Sequence, residues 1–292
     1  MKHGSNPATS QIPNDRHVHW RKTWPLAATS LLLLAMQARP AAQHQQDAQQ
    51  LAHEVIQNEI QAEINDHNLW SYRELTKRDG KDLLFEYRQT KAGTINRLLA
   101  VNGRPLDARQ RQAEDERIRK LIRSPDAMRR AQKKADADAR ETREFLQLFP
   151  KVFLFREEEH HGDLMTLGFT PNPKFHPSGN EARVLHSMQG TMVVDAKQKR
   201  LVSVKGRLMT AVEFWGGLLG HLNPGGTFSV SSENVAPGDW ELKSLDVEMR
   251  GKALLFKTIG AQEHESYSDY KPVPPNATLE EAAELLRKNS AG

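Results

Sequence analysis

The densest set of potential metal ligands in the sequence is Glu157-Glu158-Glu159-His160-His161-Gly162-Asp163. Imidazole and carboxylate together suit Zn²⁺, the chemistry of a metal-dependent hydrolase. The H-E-x-x-H spacing that sets two imidazoles on one helical face is absent. His161-Gly162 reads instead as a hairpin tip, where adjacent side chains point to opposite faces, and a solvated tip is the plain alternative. His53-Glu54 opens the same motif, but Gln57 stands where the second histidine belongs. Gly216-Gly217-Leu218-Leu219-Gly220 and Pro224-Gly225-Gly226 lack the G-K-[ST] of a phosphate cradle and read as tight turns or a gate at a sheet edge. No G-x-S-x-G nucleophile elbow occurs. Arg129, Arg130, Lys133 and Lys134 form the strongest basic cluster, with Asp126, Asp136 and Asp138 around it. Its readings are a solvated helix face, anionic headgroups or an acidic partner. No catalytic residue, metal ligand or cofactor is assigned from these motifs.

The remaining candidates are pairs on alternating stretches: Phe85 and Tyr87, Phe153 and Phe155, Leu167 and Phe169, Val212 and Phe214. Alternation puts each pair on one side of its strand. Core packing against helices and the lining of an apolar ligand cavity use the same residues, so both readings stand. Trp70, Trp215 and Trp240 seal sheet ends in either case.

The elements that must position these pairs follow from period and punctuation. Residues 42–66 read as an amphipathic helix through Leu51, Val55, Ile60 and Ile64. Strands are expected over 69–77, 83–90 and 94–101, with turns at Asp79-Gly80, Ala92-Gly93 and Asn102-Gly103. A charged helical segment covers 107–149, split at Pro125 with Ser124 as N-cap, and a stripe of Ala131, Ala135, Ala139, Thr142, Leu146 and Phe149 suits close packing. Strands resume at 152–157 and 164–170, then 183–195, 200–214, 227–232, 240–250 and 253–259. Thr278 with Glu281 caps a last helix at 278–288. About ten sequential antiparallel strands exceed what an open flat sheet holds comfortably. The expected fold is α+β, a long curved antiparallel sheet (an incomplete β-barrel) with helices over its concave face.

Residues 24–38, WPLAATSLLLLAMQA, follow Arg16, Arg21 and Lys22 and are too short to span a bilayer. They suit the apolar region of a signal peptide over residues 1–42, cut near 38–42, or an N-terminal membrane anchor if uncut. The chain is then periplasmic or secreted, with one domain over 43–292 carrying a helical insert at 107–149. Of 41 Lys+Arg and 37 Asp+Glu, residues 1–42 hold five and one, which leaves 36 of each. The pI of 9.2 therefore belongs to the leader and does not point to nucleic acid. With no cysteine in 292 residues, a disulfide scaffold, a thiol nucleophile and a lipidated cysteine are excluded.

The order of leader, amphipathic helix, meander opening on Trp70-Ser71-Tyr72, internal helices and further long strands resembles the LolA/LolB-like superfamily of lipoprotein-sorting proteins. Val101-Asn102-Gly103-Arg104-Pro105-Leu106, running into Gln112, Glu116 and Ile118, is also similar to a family of bacterial exported proteins, as are residues 184–259. The resemblance implies a half-barrel with a helical lid around an apolar cavity. It also implies a non-enzymatic exported protein that binds a lipid, lipoprotein acyl chain or other amphiphile, with the eight paired residues lining the cavity and helix 126–149 as its cover. Two alternatives are carried. One is an envelope sensor or adaptor binding a protein partner through helices 107–149, and the other is a metal-dependent hydrolase at His160 and His161.

Overall fold

The computed structural model of the protein describes residues 41–78, 80–214, 220–253 and 262–289. The expected leader up to residue 40, the Asp79 turn position, Trp215 with the glycines beside it, and most of the strand expected at 253–259 lie outside the described residues.

Uninterrupted helix-forming residues carry α1 over Ala41–Asn65, and the period then changes to a meander of β1 (Trp70–Arg78), β2 (Lys81–Thr90), β3 (Gly93–Val101) and the short β4 (Arg104–Pro105). Asn102 (φ 51°) and Gly103 (φ 71°) supply the left-handed pair that the β3–β4 turn needs. Asp107 and Gln110 form a reciprocal capping box on α2 (Ala108–Ile122). Ser124 accepts from the Ala127 amide and Pro125 occupies the first turn of α3 (Pro125–Val152), as the sequence predicts. Next come β5 (Phe153–His161), β6 (Leu164–Pro171), α4 (Asn180–His186), β7 (Met188–Asp195), β8 (Arg200–Leu208), β9 (Val212–Phe214) and β10 (Gly220–Leu222). The described chain ends with β11 (Thr227–Ala236), β12 (Asp239–Glu248), β13 (Gly251–Ala253), β14 (Gln262–Pro272) and α5 (Leu279–Asn289), the last capped by Thr278 and Glu281.

Eleven strands form one sheet in the order β4-β3-β2-β1-β14-β12-β11-β8-β7-β6-β5, and β9, β10 and β13 form a second sheet of three. Among the described residues every pairing is antiparallel and no pairing closes the sheet. The α+β class and long antiparallel sheet are as expected. Four details differ. The run expected as one strand over 200–214 is broken at 209–211, so that β8 pairs in the large sheet and β9 in the small one. Pro150 lies inside α3, whose last turn runs on to Val152; in the last turn a missing N–H costs one bond without ending the helix. Residues 183–186 belong to α4, which starts after Gly179 (φ 90°) and buries the adjacent Val184 and Leu185 on one side, a helical rather than an alternating pattern. The polar run 262–272, to which no element was assigned, is the strand that joins the N-terminal meander to the rest of the sheet.

An open sheet leaves two rows of unpaired backbone groups, and helices meet both. At β5, Gln49 of α1 donates to the Pro150 (2.9 Å) and Phe153 (3.3 Å) carbonyls and accepts from the Phe155 amide (3.1 Å). Its amide thus stands in for a neighbouring strand. At β3, Glu114 of α2 accepts from the Leu98 amide (3.2 Å) while Arg117 donates to the Asn96 carbonyl (2.7 Å). Glu59 fixes the far end of α1 by pairing with Arg200 (2.9 and 3.1 Å) and accepting from the Leu201 amide. The main core lies between α1 and β5–β8, closed by α4 and the small sheet. A second cluster of Ile95, Met128, Ala282 and Leu286 sets α5 and the start of α3 against β3.

Candidate functional site

The register fixes which residues share a face. Val230, in the core beneath α1, is abreast of Leu245, Glu265, Thr76 and Leu83 along β11, β12, β14, β1 and β2. The next rows on that face hold Tyr267, Glu74 and Phe85, then Tyr72 and Tyr87. The α1-bearing face therefore changes character along the sheet, from aliphatic and phenylalanine on β5–β8 to phenol and carboxylate on β14, β1 and β2. Helix α5 packs on the opposite face of β2 and β3, where Asn289 meets Glu86.

All four tyrosines of the chain gather in this patch. Tyr72 is central, stacked on Tyr87 (centroids 5.0 Å, planes 6° apart) and on Tyr270 (5.3 Å, 29°), with Tyr267 at 6.0 Å. Phe85 lies 6.1 Å from Tyr87, and the buried Trp70 meets Tyr270 edge-on at 6.2 Å. The tyrosines and Phe85 are half-buried, unlike the filled core beside them. Tyr267 donates to Glu265 (2.5 Å) and Tyr270 to the Leu242 carbonyl (2.7 Å).

Burial and neighbouring carboxylates keep these phenols protonated. Burial first, then the Glu74 charge, pushes Tyr87 up to about 12. Burial raises Tyr72, Tyr267 and Tyr270 further above the ordinary phenol value; its helpers are Tyr87 for Tyr72, Glu265 for Tyr267 and Glu241 for Tyr270. Glu241 is itself raised to about 7, by burial first and then by the charges of Asp66 and Asp239. The Trp70 indole N–H, buried without a hydrogen bond of good geometry, is turned toward this carboxylate and with Arg200 favours its ionised form. The patch thus offers aromatic faces, protonated phenols and a carboxylate that titrates near neutrality.

The eight residues singled out from sequence divide into two groups. Phe153, Phe155, Leu167, Phe169, Val212 and Phe214 come together, each at most 5% exposed, packed with Ala52, Val55 and Ile56 of α1. The Phe153 and Phe169 rings are 4.6 Å apart, so these six form a filled core and leave their own faces no ligand surface. Phe85 and Tyr87 lie in the tyrosine patch instead. Tyr72, Tyr267, Tyr270 and Glu241 were not singled out. The signal available was compositional: four tyrosines in 292 residues, each within three positions of a second aromatic ring or another tyrosine. His160 and His161 sit on the exposed β5–β6 hairpin in successive register positions, His160 3.9 Å from Glu157 and His161 3.7 Å from Glu159. Among the described residues no three His, Asp or Glu side chains come together as a metal-ligand set.

The small-residue stripe of α3 also departs from expectation. Residues 129–136, including Ala131 and Ala135, are exposed on every side, and the helix is packed at Met128 and from Phe145 to Val152. Within this free stretch Arg129 pairs with Asp126 and Lys134 with Asp138, while Arg130 and Lys133 pair with no side chain among the described residues. No family model, no curated protein and no solved structure matches the chain.

Proposed function

We propose that the protein is a non-enzymatic exported carrier or sensor of the LolA/LolB-like kind, holding an amphiphile (a lipid or a lipoprotein acyl chain) on an incomplete barrel. The observation that carries this reading is the convergence of all four tyrosines, half-buried, on the α1-bearing face of an unclosed sheet. Aromatic rings with a wet polar end suit a ligand that is apolar along its body and polar at its head. Helix α3 links the two halves of the sheet: it packs at Phe149 in the core on the α1-bearing face and at Met128 with Ile95 and α5 on the other face of β3. From Met128 to Phe149 it runs about 32 Å, against about 43 Å for the nine strand spacings between β3 and β5 in a flat sheet, which favours a sheet curled enough to bring these two strands within its reach. The test is native mass spectrometry of the protein taken from its own envelope, with organic extraction of what accompanies it. A reproducible adduct of amphiphile mass, lost on Tyr72→Ala in a protein of unchanged fold, is expected. A clean apo mass, or an adduct that survives Tyr72→Ala, would overturn the reading.

A second reading, an adaptor that captures an acidic envelope protein, is favoured by one observation, Arg130 and Lys133, which pair with no side chain among the described residues, on a stretch of helix with no packed face. Arg130→Glu with Lys133→Glu should abolish that capture and leave amphiphile binding intact.

A further inference from the structure

Side chains that alternate away from the tyrosine patch line a polar hollow of about 130 Å³ on the opposite face of β1, β2 and β14. The register sets Arg88, Ser71 and Lys271 abreast, and Glu86 beside Arg73 in the next row. Ser71 and Glu86, each 5% exposed, make the floor, while Arg73, Lys271 and Asp269 stand exposed around the rim. A serine between two long cations is what leaves the hollow open.

Two floor atoms are unsatisfied. Glu86 Oε1 accepts from Asn289 at 2.7 Å, but its Oε2 is buried with no donor. Arg88 Nε is likewise buried with no acceptor, and the two groups do not pair with each other. Buried polar atoms are almost always partnered, so a donorless carboxylate oxygen and an acceptorless guanidinium N–H in one small hollow point to a ligand that carries both complements. Among the described residues Lys271 has no ion pair, and Arg73 reaches Asp269 only at 3.5 Å. Three cations against two carboxylates leave the lining one positive charge in excess.

We propose that this hollow binds a phosphoethanolamine group. Small turns of the Glu86 and Arg88 side chains, whose Oε2 and Nε are closed off from solvent, let its primary ammonium donate to Glu86 Oε2 and one phosphate oxygen accept from Arg88 Nε, while the remaining oxygens accept from Lys271 and the Ser71 hydroxyl. A cavity of this size accommodates a group of that bulk, since one of about 150 Å³ holds a benzene ring. Inorganic phosphate alone brings Glu86 Oε2 no cationic donor, only a P–O–H, and ethanolamine alone brings Arg88 Nε a neutral hydroxyl in place of an anionic oxygen. A trimethylated ammonium has no N–H to give. Tyr72 is the one residue of the tyrosine patch that also lines the hollow; the charged side chains that bind lie on the other face, and the site does not depend on the function proposed for the patch.

The test is titration calorimetry of the whole protein with phosphoethanolamine, phosphocholine, inorganic phosphate and ethanolamine, beside flotation with phosphatidylethanolamine or phosphatidylcholine vesicles. Phosphoethanolamine should bind at least tenfold more tightly than the other three. Arg88→Gln and, on the exposed rim, Lys271→Gln should each weaken it about tenfold, and Glu86→Gln should erase the preference over phosphocholine. Flotation with phosphatidylethanolamine alone would identify a lipid headgroup as the source; binding of the free compound without flotation would identify a soluble one. Equal affinity for inorganic phosphate, no binding at millimolar concentration, or indifference to Glu86→Gln and Lys271→Gln in folded protein would overturn the proposal.

Discussion

Replacing Gln49 by alanine tests whether a single amide holds the β5 edge of the sheet. The side chain makes three hydrogen bonds, to the Pro150 and Phe153 carbonyls and from the Phe155 amide. Phe153 and Phe155 are both fully buried, so water cannot take over these contacts without opening the core. A net hydrogen bond contributes about 0.5–1.5 kcal/mol, and a buried group left alone costs about 1–3 kcal/mol. Carbonyls tolerate the loss better than amides, which places Gln49→Ala at about 2–4 kcal/mol, a large share of the usual stability of a domain. Gln50 next to it is exposed and reaches only Glu54, so Gln50→Ala should stay within about 0.5 kcal/mol of the parent. Gln49→Glu sharpens the test. It keeps an acceptor for the Phe155 amide but sets a carboxylate against two carbonyls, so at pH 7 it should destabilise more than alanine and recover in acid as it protonates. Urea unfolding followed by tryptophan fluorescence reads all three variants. If Gln49→Ala is as mild as Gln50→Ala, or Gln49→Glu is the better tolerated, the amide does not hold the edge.

Arg97 is 1% exposed and its charge is met by Asp115 at 2.5 Å, so Asp115→Ala should cost about 3–5 kcal/mol, with Asp115→Asn clearly milder, by the same unfolding assay. Glu241 titrates near 7 in the folded protein against an ordinary 4.5, so folding takes up protons between these values. Stability on its account is greatest below pH 4.5 and falls as pH rises through about 7, and Glu241→Gln should flatten that fall and raise Tm at pH 8; an unchanged slope would dismiss the assignment. At Gly190 an added Cβ would lie 1.9 Å from the Lys205 carbonyl across β7 and β8, so Gly190→Ala should cost about 3 kcal/mol, visible as loss of soluble protein on mild heating.

The parts of the fold that follow local rules are legible in the sequence. Ser124-Pro125, Thr278 with Glu281, and Asn102-Gly103 each start or stop an element through chemistry confined to a few residues. Elements whose identity depends on distant partners are not legible. Pro150 marks a stop for helix propensity, yet Gln49, 101 residues away, holds its carbonyl. Strand β14 reads QEHESYSDYKP, with no apolar alternation, because it is central by pairing with β1 and β12 and its face carries Glu263, Glu265 and Tyr267 where a core strand would carry valines. The same holds for the site. Alternation correctly put Phe153 with Phe155 and Leu167 with Phe169, but it cannot say that α1 fills the space above them, or that Phe85 and Tyr87 continue into a cluster completed by the last strand.

That last strand gives the patch a folding order. The meander β1–β4 is built from neighbours in sequence, as are β5–β8 and the β11–β12 hairpin that adds to β8 once β9 and β10 have turned out into the small sheet; β14 joins the two parts, with β1 on one side and β12 on the other. Tyr72 and Tyr87 come from the first part of the sheet, Tyr267 and Tyr270 from the joining strand, so the stack about Tyr72 exists only when residues nearly 200 positions apart have paired. Contacts of such long range form late, because chain closure costs entropy before the contacts repay it. The joining strand carries Glu263, Glu265 and Tyr267 on the face where an aliphatic strand would add apolar burial, so it contributes less of the hydrophobic stabilisation than β6 or β7 does. A seam that is polar, late and flanked by a tightly filled core under α1 is expected to open before the rest of the sheet, which native-state hydrogen exchange at the β14 amides would read as lower protection than at those of β6 and β7.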